Sequence, residues 1–411
     1  MDHPPRPVPR DAYALWTEAC ARAGWLPRHP AGTADRVPLA DALGRVAAEP
    51  VTARWSSPRS DCAAMDGIAI NSGGSGIKSG GLPAGDGDGG AAHVIAPGDF
   101  SWIDTGDPMP DGADAVIMRE HVTIDEAGAA HVSGSPDTTP GHHVRKLGED
   151  FGRGEILVPA GHRLDPACLA VAAAAGRAAI AVAAKPRVAV IPTGDEIVPA
   201  GQAPKPGEII DSNSLYLAAR CARAGATARV SDIVPDDPDR LAAEIRRAAA
   251  DADLVLVIAG SSRGRGDHTA AVLAQVGGLT VAGVAVRPGH PALLGHAKSH
   301  SSGTVPVIGL PGYPLATAVI FELFAVPLLA TLDGDATPPR RKTARLARDW
   351  DSSPAVEDWV PVALSPDGTV TPVRHGAGST SQLARASAWW AVPPGQGHFP
   401  AGTQITVLPW T

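Results

Sequence analysis

Two adjacent carboxylates, Asp195 and Glu196, follow the apolar run Val188-Ala-Val-Ile191, and a second acidic turn, Ile209-Ile-Asp-Ser-Asn213, follows soon after. A Val/Ile-rich run of this length reads as a buried strand broken at Pro192. The second turn opens a helix with Ser212 or Asn213 as its N-cap. The pattern of strand, polar loop and helix recurs at Asp236-Asp-Pro238, at Ala259-Gly-Ser-Ser-Arg-Gly-Arg-Gly-Asp267 and at Pro311-Gly-Tyr-Pro314. Ligands of open α/β sheets bind outside the carboxyl ends of the strands, so the four loops converge on one edge. The third loop, with Gly260, Ser261, Ser262, Arg263 and Arg265, offers backbone N–H groups, hydroxyls and cations to a phosphate or oxyanion. It has neither the lysine of a P-loop nor the spacing of a dinucleotide fingerprint. Glu196, Asp236 and Asp267 beside such a cradle suit Mg²⁺ held between protein oxygens and a phosphate or pyrophosphate. Asp237, directly before Pro238, reads instead as a helix cap. Arg287-Pro-Gly-His-Pro291 adds Arg287 and His290, either able to meet an oxyanion. Read singly, each of these is ordinary turn chemistry, and their convergence is what makes a site.

These loops need a scaffold. Strands expected at Val188–Ile191, Ala228–Val234, Asp253–Ile258 and Val305–Pro311 alternate with helices at Ser214–Ala224, 238–250, Thr269–Val276 and Ala316–Ala330. That alternation predicts a parallel sheet covered on both faces. Upstream, the spacing predicts helices over 11–25 and 38–47, then short β-like runs from 49 to 140 containing a Gly-rich surface loop at 72–90. A helix follows with Asp165 as N-cap, Pro166 at its first position and Gly176 as its stop. Beyond Pro338, alternating runs such as Trp359–Leu364 and Gln404–Pro409 predict a small β-barrel or sandwich.

At 411 residues the chain carries two to four domains. A net charge of −8, with no basic run, gives no reason to expect nucleic acid. Cys20, Cys62, Cys168 and Cys221 form no CxxC pair and read as reduced thiols. The N-terminus has no apolar signal region, and the apolar stretch 169–184 is alanine-rich, contains Arg177 and is too short to span a bilayer. The expectation is a cytoplasmic protein with no membrane partner.

In order, Ala64-Met-Asp-Gly-Ile-Ala69, Thr105-Gly106, Pro110-Asp-Gly-Ala-Asp-Ala-Val116, Arg145-Lys-Leu-Gly-Glu-Asp150, Pro192-Thr-Gly-Asp-Glu196, Asp211-Ser-Asn213, Asp236-Asp-Pro238, Arg287-Pro-Gly-His-Pro291 and Gly309-Leu-Pro-Gly-Tyr-Pro314 resemble the molybdenum insertase family, which includes bacterial MoeA and the E domain of gephyrin. The resemblance runs over roughly residues 11–411. It implies a multidomain α/β plus β fold. Its parts are a discontinuous N-terminal linker and dimerisation domain (1–50 and 141–185), an irregular β-rich inserted domain (51–140), a MogA-like α/β domain with a parallel-rich sheet (186–335) and a C-terminal β-barrel (336–411). It further implies a homodimer whose site lies between the α/β domain of one subunit and the inserted domain of its partner. Molybdopterin adenylyltransferase and apo-molybdoenzymes are the implied further partners.

The implied reaction inserts molybdate into adenylylated molybdopterin, with Mg²⁺-dependent release of AMP. Carried onto this chain, the resemblance makes Asp66, Thr105, Asp150, Glu196, Asp236 and Asp267 the polar catalytic set, with Asp267 and Glu196 the metal candidates. Gly260, Ser261, Ser262, Arg287 and His290 become binding positions, and Pro311 and Pro314 shape their loop. The chain departs from the family pattern in three places. The loop 259–267 is one residue short and carries two arginines, His290 stands where lysine is usual, and Tyr313 stands where asparagine is usual. Ser379 and Ser381 loosely match the family's Ser-rich barrel segment. A pterin-binding carrier or sensor that inserts no metal is the alternative. An adenylyltransferase reading would leave the acidic turns of the N-terminal half unexplained.

Overall fold

Strand Leu254–Ala259 is apolar at every position because both its faces are covered. Leu254, Leu256 and Ile258 join one buried cluster, and Val255 and Val257 join another on the opposite face. This period-2 alternation inside a continuous apolar run marks a central strand of a doubly covered sheet. The computed structural model describes residues 6–26, 34–74, 93–134, 136–259, 268–299, 303–373 and 376–410.

The sheet has six strands in the order Thr227–Val230, Arg187–Pro192, Leu254–Ala259, Gly303–Pro311, Leu293–Ser299, Gly277–Ala282. The first four are parallel, as the sequence predicts, and Leu293–Ser299 pairs antiparallel with both of its neighbours, Gly303–Pro311 and Gly277–Ala282. The sheet is thus parallel-rich, with an antiparallel edge that the alternation of strands and helices does not indicate. The edge leaves little sequence trace: Gly277 follows the helix Thr269–Val276 without a turn, and Gly295, His296 and Lys298 interrupt the apolar run of the next strand.

Helices Pro238–Asp251 and Thr269–Val276 cover one face. The first buries Leu241, Ala242, Ile245, Ala248 and Ala249, the stripe that a 3.6-residue period gives. Asn213–Arg223, the N-terminal helix Pro9–Arg22 and the long helix Pro314–Asp333 cover the other. Trp16 ties the N-terminal helix down, its Nε1 donating to Gly295 O at 2.7 Å. The helix Pro314–Asp333 is long and apolar enough to cross a membrane, yet every residue from Leu315 to Phe321 is buried in this core. Pro327 has no N–H to return to the carbonyl four residues back, and a π segment, Phe321–Ala325, precedes it.

The helix expected over 38–47 is one 3-10 turn, Leu39–Asp41. Gly44 turns left-handed at φ +72°, and Ala34–Pro38 pairs with Ala179–Ala183 as a strand instead. In the β-rich part, Gly67–Ile70 lies between Phe100–Ile103 and Ala115–Met118. Ile68 and Ile70 face one small core and Ala69 another. At the C-terminus, Lys342–Leu346, Glu357–Leu364, Thr369–Pro372, Ala388–Val392 and Gln404–Pro409 pair into a closed ring, a five-stranded barrel. Its interior is filled by Leu346, Val360, Val362, Val370, Trp390, Val392 and Val407.

Three parts of the chain meet at Arg163. Its guanidinium donates to Asp335 at 2.8 Å, to Asp333 at 2.9 Å and to the Gly44 carbonyl at 2.8 Å. Ala336 N–H donates to the Gly161 carbonyl beside it.

Candidate functional site

The carboxyl edge of the parallel strands carries the first group of site residues. Thr193 locks its loop onto the neighbouring strand, with N–H and Oγ1 both donating to the Ile258 carbonyl at 3.0 and 2.8 Å. Gly194 follows at φ +133°, where a Cβ would stand 2.7 Å from Glu196 Oε2, so only glycine lets the turn fold this tightly. Asp195 then accepts from Asp236 N–H at 3.2 Å, which joins the first and second acidic loops. Partial burial, then the charges of Asp195 and Glu196, hold the Asp236 carboxyl above its ordinary range, while an Asp195 backbone bond and His268 offset part of the rise. Three carboxylates therefore share one exposed edge. Asp237 is a cap, accepting from Asp239 and Arg240 N–H at 2.9 and 3.1 Å.

The Pro311-Gly-Tyr-Pro314 loop is fixed from three sides. Asn213 Nδ2 donates to the Gly312 carbonyl at 2.7 Å, Thr317 Oγ1 donates to the Pro311 carbonyl, and Leu315 N–H donates to Ala377 of the barrel at 3.2 Å. This last bond brings the barrel segment that holds Ser379 and Ser381, whose hydroxyls lie 3.1 Å apart, beside the loop. The helix Asn213–Arg223 has Ser212 at its N-cap position, but the side chain that accepts there is Asp211, from Ser214 N–H at 3.0 Å.

Arg287 and His290 flank a glycine whose backbone has φ +117°. Arg287 donates through Nε and Nη2 to both oxygens of Asp358, at 3.3 and 2.8 Å. Asp358 is fully buried and also accepts from Ser352 Oγ at 2.7 Å. His290 is exposed. Asp267, Gly260, Ser261 and Ser262 lie outside the described residues.

The β-rich part carries the second group. Asp66 Oδ1 accepts from both the N–H and the hydroxyl of Thr105 at 2.7 Å, and these bonds, the hydroxyl first, hold its carboxyl below the ordinary range. Asp150 is exposed on a loop held by Asp61, which accepts from Leu147 N–H at 2.8 Å and Lys146 Nζ at 3.0 Å. Among the described residues, no hydrogen bond runs from this group to the α/β edge. Asp61, His268 and Asp358 escaped the sequence reading, because a lone polar residue carries no signature of the loop it will brace. None of the groups of His, Cys, Asp and Glu among the described residues forms a three-ligand metal set.

With this geometry in hand, the chain matches three family descriptions in succession. They are "MoeA N-terminal region (domain I and II)" over residues 11–176, "Probable molybdopterin binding domain" over 189–331 and "MoeA C-terminal region (domain IV)" over 343–410. It is 32% identical to molybdopterin molybdenumtransferase 2 of Mycobacterium tuberculosis across 90% of this chain and 94% of that protein. It is also 32% identical to the molybdopterin molybdenumtransferase of Nostoc sp., across 90% and 88%. Its fold matches the crystal structure of the molybdopterin biosynthesis moea protein of Pyrococcus horikosii with a TM-score of 0.76 at 29% identity, covering 99% of this chain and 100% of that one.

Proposed function

Because this chain belongs to the MoeA family of molybdenum cofactor biosynthesis, we propose that it is a molybdenum insertase, placing molybdate into adenylylated molybdopterin and releasing AMP. The observation that carries the reading is the acidic edge of Asp195, Glu196 and Asp236 at the carboxyl ends of the parallel strands, where the Asp236 carboxyl is raised by partial burial and by its neighbours.

Crowded carboxylates favour a cation. Mg²⁺ keeps most of its waters and is held by one or two carboxylates together with substrate phosphates. Glu196 and Asp236, with Asp267 from the sequence, would hold it. Mg²⁺ held there would supply charge neutralisation for phosphoanhydride cleavage. The chain's own residues do the positioning. Thr193 and Gly194 fix the Asp195-Glu196 turn, and Asn213 and Thr317 fix the Pro311–Pro314 loop. Arg287, anchored by Asp358, and His290 present cationic or hydrogen-bonding groups to the oxyanion. Asp66, kept ionised by Thr105, from the inserted domain and Asp150 from the linker domain of a second copy complete the set in a homodimer.

The test is AMP release from adenylylated molybdopterin by the purified chain with Mg²⁺, with and without molybdate or tungstate. Oxyanion-dependent release that yields cofactor able to activate an apo-molybdoenzyme is the expected result. Tight pterin binding without release would instead identify a carrier or sensor, a reading favoured by histidine at position 290.

A further inference from the structure

Tyr313 is 64% exposed, more than Trp102 at 54% or Trp55 at 37%, the other exposed aromatic residues among those described. It lies two residues beyond the strand Gly303–Pro311, on the same sheet edge as Asp195, Glu196 and Asp236. Its backbone has little freedom: Pro314 confines the preceding residue to extended conformations, and Tyr313 sits at φ −71°, ψ 126°. The bonds from Asn213 and Thr317 to its loop hold the Cα in place. The ring lies beside Gly378 of the barrel, where an added Cβ would stand 3.5 Å from Tyr313 Cδ1 and 3.6 Å from Cε1. The Leu315–Ala377 bond keeps that backbone there. The ring thus stands on a fixed loop next to the barrel, largely open to solvent and beside the acidic edge.

We propose that Tyr313 is a stacking platform for a fused, planar nitrogen heteroaromatic ring, and so a specificity-determining residue of the α/β edge. This rests on the functional reading above, whose substrate carries an adenine and a pterin with a planar pyrimidinone ring. Stacking suits either, because each has a π face, and a rigid exposed aromatic provides it at low entropic cost. Asparagine at this position could hydrogen-bond but not stack.

The experiment uses the full chain and two probes, AMP and a soluble oxidised pterin. AMP binding is measured by calorimetry and pterin binding by quenching of the pterin's own fluorescence, in wild type, Tyr313→Phe, Tyr313→Asn and Tyr313→Ala. Thermal melting checks that the variants fold. The expected result is a loss of roughly tenfold or more in affinity for one probe in the Asn and Ala variants, with Phe close to wild type. The probe that loses affinity identifies the stacked ring, and if it is the pterin its quenching falls as well. Equal binding of both probes by wild type and Tyr313→Ala, or a loss in Tyr313→Phe as large as in Tyr313→Ala, would overturn the platform alone. Failure of the wild type to bind either probe would overturn the functional reading and the platform with it.

Discussion

Asp236 and Asp237 are neighbours in the chain with different uses. Asp237 points its carboxylate back onto two N–H groups of the helix it begins, whereas Asp236 faces Asp195 and Glu196. Asp237→Ala is expected to cost about 1 kcal/mol of stability, the usual value of an N-cap, and to leave AMP release intact. Asp236→Asn is expected to keep the melting temperature and to lower AMP release at least tenfold, on the order of 1.4 kcal/mol in the barrier. Denaturant melts together with release assays on both variants check the pair, and an exchange of the two phenotypes would reverse the assignment. The division is legible in the sequence, since Asp directly before Pro at a helix start is capping chemistry. Asp61 is not legible. Its importance comes from reaching Lys146 and Leu147, some eighty-five residues away, and no local pattern encodes that distance.

Among the elements, those set by an uninterrupted local period were readable and those set by distant pairing were not. Thr269–Val276 coincides with its predicted span, and the four parallel strands lie where their apolar runs place them. The segment 38–47 has helical composition, but Gly44 turns away and Ala34–Pro38 finds a strand partner about 145 positions along the chain. The antiparallel edge is likewise a product of its neighbour, the strand Gly303–Pro311, rather than of its own residues. The Pro311–Pro314 loop shows how one element steadies another, because Asn213, at the start of a different helix, holds Gly312. Asn213→Ala is expected to cost about 1 kcal/mol, the net worth of one hydrogen bond. Its larger effect is expected on ligand affinity, since the loop that carries Tyr313 loses a tether. Calorimetric titration with AMP beside a denaturant melt separates the two effects, and a variant with lowered stability but unchanged AMP affinity would show that the tether serves folding alone.

At the scale of the whole molecule, Arg163 is where the N-terminal half, the end of the long core helix and the entry to the barrel are joined. Burial pushes the carboxyl of Asp333 up to about 6 from an ordinary 3.8, against the opposing pull of Arg163. Between those two values the folded chain holds a proton that the unfolded chain releases, so this group makes the protein more stable as pH falls through that window. On going from pH 7 to pH 5, wild type is expected to gain about 1 kcal/mol relative to Asp333→Asn. Melting temperatures of both proteins across that range test it, and parallel pH profiles would refute it. No run of residues announces this junction, because it forms only once three separated segments have folded.

The barrel is a closed ring, yet it is not self-sufficient. Trp359 and Trp389 turn away from the barrel interior and are buried in the same cluster as Leu328, Leu329 and Ile320 of the long helix. The short strand Val286–Arg287 also pairs in parallel with Glu357–Asp358, adding a strand to the barrel's sheet. The exposed connection 337–341 joins the two bodies covalently, but their shared buried cluster is what keeps them together. Nicking it would leave two fragments clasped through a common interior, and neither could be excised as an autonomous module without baring tryptophans to water.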